Sequence, residues 1–149
     1  MVNGHAFAGG FFLALAHDKR VMREERGFMC LNEMQLGVPI PTMLSVLGAQ
    51  RMGYNNYLEA ACYCKRYTAH EALSANLIDY SSPQESLADK TIEVAKHYAE
   101  INAYPDALHL TKEGIYSEVI DLSTKTTPSE MAAERIFAFT QAQEQTRDK

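Results

Sequence analysis

The segment Gly4-His5-Ala6-Phe7-Ala8-Gly9-Gly10, leading into Phe11-Phe12-Leu13-Ala14-Leu15-Ala16-His17-Asp18, constrains the chain more than any other stretch. Val2 and Asn3 read as the end of an extended segment. The small residues then let the backbone turn tightly into an apolar helix. Glycines at such a junction bring free backbone N–H groups close to a ligand oxygen. The positive end of the helix dipole favours negative charge at the same place. The junction therefore suits an anion, or an oxygen that gains negative charge during a reaction. Glycines ahead of a helix also serve close packing, and Gly9-Gly10 alone favours packing over catalysis. Neither a P-loop nor the glycine pattern of dinucleotide-binding folds is present.

With 149 residues the chain can bury one real core, and 46% hydrophobic with 22% charged residues is ordinary for a globular protein. The net charge of -5 and the lack of a basic stripe argue against a nucleic-acid surface. Cys30, Cys62 and Cys64 form an odd set without metal-ligand spacing, which points to reduced thiols inside a cell. Cys62 and Cys64 flank Tyr63 in an expected helix, which disfavours a disulfide between them. No run approaches membrane-spanning length, no signal peptide is visible, and Arg147-Asp148-Lys149 is not an S-K-L address.

Periodicity and punctuation divide the chain. Strands are expected at Val2–His5, Arg20–Met22, Phe28–Leu31 and Leu77–Tyr80. Ala8–Ala16 is continuously apolar and reads as a buried helix. Leu36–Pro41 reads as a loop, because its prolines forbid a regular ladder. Thr42–Met52 has helical spacing, with Thr42 as N-cap and Gly53 as stop. Asn56–Cys64 is a further helix. Thr68 caps Ala69–Ala75, with Glu71 in the capping-box position. Ser81-Ser82-Pro83 reads as a linker. Long helices follow at Gln84–Asn102, Pro105–Leu122 and from Thr127-Pro128-Ser129-Glu130 to about Glu144. This separates a sheet-bearing part, 1–80, from a helical part, 81–149.

The Gly4–Asp18 block, Arg26-Gly27-Phe28, Asn32-Glu33-Met34-Gln35-Leu36-Gly37-Val38-Pro39 and Tyr67-Thr68-Ala69-His70-Glu71-Ala72-Leu73…Leu77-Ile78-Asp79 follow in an order and spacing that resembles the crotonase (enoyl-CoA hydratase/isomerase) superfamily. The likeness covers residues 1 to about 115 well and the last helix loosely. Met1-Val2-Asn3-Gly4-His5-Ala6 and Leu36-Gly37-Val38-Pro39-Ile40-Pro41 look like the Δ3,Δ2-enoyl-CoA isomerase branch, especially the eukaryotic peroxisomal type. The resemblance implies an α/β fold: the C-terminal part of a ββα spiral, then helices that cap the site and join subunits, commonly in trimers. Domains of this superfamily are longer, so the chain is expected to start where that fold is already partly built. A truncated sheet of that kind would expose an unpaired edge and apolar surface, favouring self-association or a partner chain.

The same resemblance puts Gly9 where one oxyanion-hole N–H meets the thioester oxygen, and Glu33 at the catalytic glutamate position. Ala8, Gly10, Phe12, Leu36 and Gly37 would contact substrate. Partial burial of Glu33 would raise its pKa and suit it to proton transfer. Superfamily hydratases carry another glutamate three residues after the oxyanion glycine; here that residue is Phe12. Water addition needs two carboxylates, whereas one suffices to move a proton between carbons. The reading is an isomerase moving a double bond from position 3 to position 2 of an enoyl-CoA in fatty-acid β-oxidation. No metal or cofactor is implied, CoA being part of the substrate, and the compartment implied is a peroxisome or the mitochondrial matrix. A structural pseudoenzyme and an enoyl-CoA hydratase are the alternatives. His5, His17, Tyr98, Tyr104 and Tyr116 read as packing or contact residues, and Lys112 as a solvated lysine. Met29, Met34 and Met43 suit either an acyl pocket or ordinary core. Cys64 stands near a position where the superfamily has glycine.

Overall fold

Four strands of two or three residues cannot hold themselves together, and the fold is organised around the helices that cover them. The computed structural model describes residues 1–125. In order these are β1 (Ala6–Phe7), α1 (Gly9–Leu15), β2 (Val21–Arg23), β3 (Met29–Cys30), α2 (Glu33–Leu36), α3 (Thr42–Met52), α4 (Tyr54–Tyr63), α5 (Ala69–Ser74), β4 (Tyr80–Ser82), a 3-10 turn (Gln84–Ser86), α6 (Leu87–Ile101), α7 (Pro105–Ile115) and α8 (Ser117–Lys125). This is a mixed α/β arrangement with short parallel pairings.

β1 runs parallel to β3, with Ala6 opposite Met29 and Phe7 opposite Cys30. β2 runs parallel to β4, from Val21 opposite Tyr80 to Arg23 opposite Ser82. An isolated parallel bridge joins Val2 to Met22, so the chain ahead of β1 connects the two pairs. Met29 also bridges Tyr67 in the antiparallel sense. One face of these strands carries the main core: Phe11, Phe12, Leu15, Met22, Met29, Leu31, Tyr67 and Leu77 are all buried in one cluster. Each such side chain contributes roughly 1.5–3 kcal/mol on burial. A second cluster, Val21, Leu87 and Val94 with Tyr80 and Tyr98 against it, fastens α6 to β2 and β4.

Several elements differ from the sequence expectation. Val2–His5 is not a strand: only Val2 bridges, and β1 lies further on at Ala6–Phe7. The helix expected to be wholly buried turns Leu13 outward at 65% exposure, because a seven-residue helix on one sheet presents only one stripe to it. Ahead of the expected loop Leu36–Pro41 stands the single turn α2, too short to show periodicity, which takes in Leu36 and which Gly37 ends with a left-handed φ of 68°. The cap of α3 is Pro41, and Thr42 is already helical with no side-chain cap bond. Leu77 and Ile78 are buried but precede the strand. β4 instead runs through the expected linker, where Ser82 is buried. The helix expected over Pro105–Leu122 breaks at Tyr116, letting α8 pack on α3. The helix expected from Thr127 lies outside the described residues. Cys64, read as standing near a glycine position of the superfamily, ends α4 with a left-handed φ of 51°, a conformation glycine adopts more easily.

The capping box forms as the sequence indicates. Thr68 N–H donates to Glu71 Oε2 at 2.9 Å, and Glu71 N–H donates to Thr68 Oγ1 at 3.4 Å. Thr68→Ala is expected to lower stability by about 1 kcal/mol in urea denaturation. The Thr68 backbone N–H, then its hydroxyl, holds the Glu71 carboxyl below its usual range. Its contribution is therefore complete above the unfolded carboxylate value and lost as pH falls through the depressed folded value. Urea titrations should show Glu71→Gln with a shallower loss of stability than wild type below about pH 4.

A tighter constraint sits at Gly27, where φ is +109° and a Cβ would lie 2.2 Å from the Gly4 carbonyl oxygen. Gly27→Ala should destabilise by about 2 kcal/mol or more, read as a lowered unfolding midpoint.

Candidate active site

The glycine-rich turn and the expected acid leave the sheet at the same edge. β1 and β3 are parallel and in register. Gly9 lies two residues beyond Phe7, and Glu33 three beyond Phe7's partner Cys30. Crevices at the carboxyl ends of parallel strands are where α/β proteins assemble ligand sites.

Ala8 sets the geometry of the turn. Its N–H donates to the Cys30 carbonyl at 3.0 Å, and its own carbonyl accepts from Phe11 N–H at 2.9 Å. Between these bonds the backbone passes through φ 50°, ψ -122°, a region that L side chains rarely adopt. The kink leaves the N–H groups of Gly9 and Gly10 without a protein acceptor among the described residues. Both glycines are exposed, and no atom lies within 4 Å of where a Cβ would stand on either. A ligand oxygen can approach both. Phe11 and Phe12, on the next turn, are buried in the core and anchor the helix from the other side.

Glu33 opens α2 and is half-buried. Its Oε2 is fully buried with no hydrogen-bond partner among the described residues, and Asn32 Oδ1 beside it is in the same state. Buried acceptors without donors are rare in native proteins. Burial pushes both the Cys30 thiol and the Tyr57 hydroxyl above their usual values, and the nearby Glu33 charge adds to each shift. Those effects place the carboxylate beside β3 and α4. Tyr57 is held by a 2.9 Å hydrogen bond from its hydroxyl to Ser45.

The other expected contact residues divide. Ala8, Gly9 and Gly10 form the turn itself. Phe12 is buried among core residues, Leu36 is 65% exposed at the end of α2, and Gly37 closes that turn. Met29 is wholly core, whereas Met34 is exposed beside Glu33. Lys112, expected to be solvated, lies at the surface and pairs there with Asp18 beyond the far end of α1. His5 accepts the Phe28 N–H at 3.3 Å and stacks on the Phe28 ring, and His17 contacts the Leu13 carbonyl at 2.8 Å. Both serve the backbone. Tyr104 is 79% exposed and outside the core. The cysteines are free thiols.

Sequence reasoning missed Arg66, whose guanidinium lies over the Phe7 ring at 5.9 Å and lowers the Cys30 pKa against the effect of burial. Its adjacency to the Tyr67-Thr68-Ala69 block was the available signal. The strain at Ala8 also went unread, since alanine gives no warning of a positive φ. Ala8→Gly should raise stability by about 1 kcal/mol, because only the backbone strain is removed; thermal unfolding checks this.

A family model described as enoyl-CoA hydratase/isomerase matches residues 1–148. Enoyl-CoA delta isomerase 3 of Arabidopsis thaliana is 26% identical over 121 residues, covering 79% of this chain and 51% of that protein. Hydroxycinnamoyl-CoA hydratase-lyase of Pseudomonas fluorescens is 32% identical over 114 residues, covering 76% and 40%. The crystal structure of an enoyl-CoA hydratase from Mycobacterium ulcerans superposes with a TM-score of 0.71 at 28% identity, over 80% of this chain and 51% of that one. The chain thus spans about half the length of the relatives it matches. No helix among the described residues is long and apolar enough to cross a membrane. With a family model matching nearly every residue, the chain belongs to the enoyl-CoA hydratase/isomerase family.

Proposed function

We propose that the chain carries the chemistry of an enoyl-CoA isomerase, shifting a double bond from position 3 to position 2 of an acyl-CoA thioester. The observation that supports this best is the shared end of β1 and β3, with the open Gly9 and Gly10 N–H groups at the start of α1 after one strand and the half-buried Glu33 at the start of α2 after the other. The Gly9 N–H donates a hydrogen bond to the thioester oxygen. Glu33 takes a proton from C2, and the electron pair spreads over the carbonyl as an enolate whose oxygen lies at the helix N-terminus. The protonated Glu33 then returns the proton at C4. The double bond moves into conjugation with the thioester, and the carboxylate is regenerated. The transfer balances without a redox partner, and CoA enters as part of the substrate.

Phe12 supports isomerisation over hydration. Its position is that of the second glutamate in superfamily hydratases, and a buried aromatic there leaves no second carboxylate to hold water. Ala8, Gly10, Leu36 and Gly37 flank the acyl group in this reading. Relatives named as a hydratase-lyase and as a carnitinyl-CoA dehydratase favour a second reading, in which the same turn serves water addition or removal. One relative is named as peroxisomal, which suggests that compartment for this chain. Exposed apolar side chains such as Leu13, Leu36 and Leu110 favour self-association or a partner chain.

The test is a spectrophotometric assay of the purified chain with a 3-enoyl-CoA beside Glu33→Gln. Activity is expected in wild type and about 10²-fold lower or less in the variant. Absence of activity in a chain folded by circular dichroism would overturn the reading for the chain alone and leave a structural, partner-dependent role. In light scattering, an oligomer is expected; a monodisperse monomer would refute self-association.

A further inference from the structure

The opposite edge of the sheet holds a second polar cluster that the proposed isomerisation does not use. Arg20 and Asp79 immediately precede the parallel strands β2 and β4. Asp79 Oδ2 accepts from the Arg20 backbone N–H at 2.9 Å and from Arg20 Nε at 3.2 Å, while Oδ1 accepts from Lys19 Nζ at 3.2 Å. One carboxylate is thus shared between two cations. Arg20 is 6% exposed, and its Nη1 is buried without a hydrogen-bond partner among the described residues.

Arg51 adds another charge. Its guanidinium donates to the Leu15, His17 and Asp18 carbonyls at 3.1, 2.8 and 3.1 Å, and to the Tyr116 hydroxyl at 3.1 Å. Every one of those acceptors is neutral, so among the described residues Arg51 has no carboxylate partner. Asp18, the other acid here, pairs with Lys112. Burial holds the Arg20 guanidinium below its ordinary value, and the Arg51 charge presses the same way against the pull of Asp79. Between these groups lies a cavity of about 460 Å³, bounded by Lys19, Arg20, Gln50, Arg51, Asn76 and Asp79 among others.

We propose that this cavity binds a phosphate group. Three cations, Lys19, Arg20 and Arg51, line it with two carboxylates, Asp18 and Asp79, and Asp18 is already paired with Lys112, which leaves positive charge uncompensated. Arg20 and Arg51 both line the cavity, and guanidinium groups match the oxygens of phosphate. Gln50 and Asn76 add neutral amide donors at the rim. The volume accommodates a phosphate with the body of a small molecule attached. The site is separate from Gly9 and Glu33, because it lies at the amino ends of the strands and at the carboxyl end of α1. The phosphate source is either a CoA thioester reaching around the sheet edge or a free phosphate compound.

Inorganic phosphate titrated into the full chain, at constant ionic strength set with sodium chloride, tests this by calorimetry and amide NMR. Saturable binding is expected, with the largest shifts at residues 50–51 and 76–80. Gln50→Glu places a carboxylate on the exposed rim without touching the core, and should weaken binding about tenfold or more. Coenzyme A moving the same amides would assign the phosphate to the thioester carrier. Coenzyme A leaving them unmoved, while phosphate shifts them, would assign it to a separate compound. Shifts confined to Gly9 and Gly10, non-saturating changes, or equal binding by Gln50→Glu would mark an adventitious ion only and overturn the proposal.

Discussion

The in-register parallel pairing of β1 with β3 is the interaction on which the rest depends. It consists of two residue pairs, extended at either end by Ala6 N–H to Phe28 carbonyl at 2.9 Å and Ala8 N–H to Cys30 carbonyl at 3.0 Å. So short a ladder has little stability of its own. Its register is held by burial: Ala6 and Met29 face the core, and Met29 is clasped on its other edge by Tyr67. A slip of one residue would turn Met29 outward and Cys30 inward. It would also release the Ala8 N–H and with it the kink that bares Gly9 and Gly10. Site geometry and core packing are therefore one constraint seen from two sides.

Local chemistry was legible in the sequence wherever a side chain itself carries the instruction. The Thr68–Glu71 box follows from capping rules, the extent of Thr42–Met52 from its helical spacing and its stop from Gly53, although the cap at its start is Pro41 and not Thr42. The glycine-rich entry to α1 was legible for the same reason. What escaped was set by the backbone or by distant packing. Ser81 and Ser82 look like a linker, yet they pair with Met22 and Arg23 through main-chain bonds that their side chains do not announce. Tyr116 bears no breaking residue, and the helix ends there because α8 must turn to reach α3. Of the candidate site, Gly9 and Glu33 were singled out through the family resemblance, and the structure sets them just beyond the paired ends of β1 and β3. Ala8's strain and the unpartnered acceptors of Asn32 and Glu33 became visible only in three dimensions.

Helix α1 ties the two edges of the sheet together. Its N-terminus is left open, with two glycine N–H groups uncommitted. Just beyond its C-terminal end, carbonyl groups are gathered by a single guanidinium, that of Arg51, which lies on α3. A cation at a helix C-terminus stabilises the macrodipole, and the seven-residue α1 spans only about 10 Å. The charge that fixes one end thus strengthens the preference for negative charge at the other. The consequence is physical economy in a small unit: the same helix, buried through Phe11, Phe12 and Leu15, carries the orientation of the turn at Gly9 and the placement of the basic cluster around Arg20. Loosening Arg51 would disturb both edges, whereas changing Gln50 on the exposed side of α3 would touch only one.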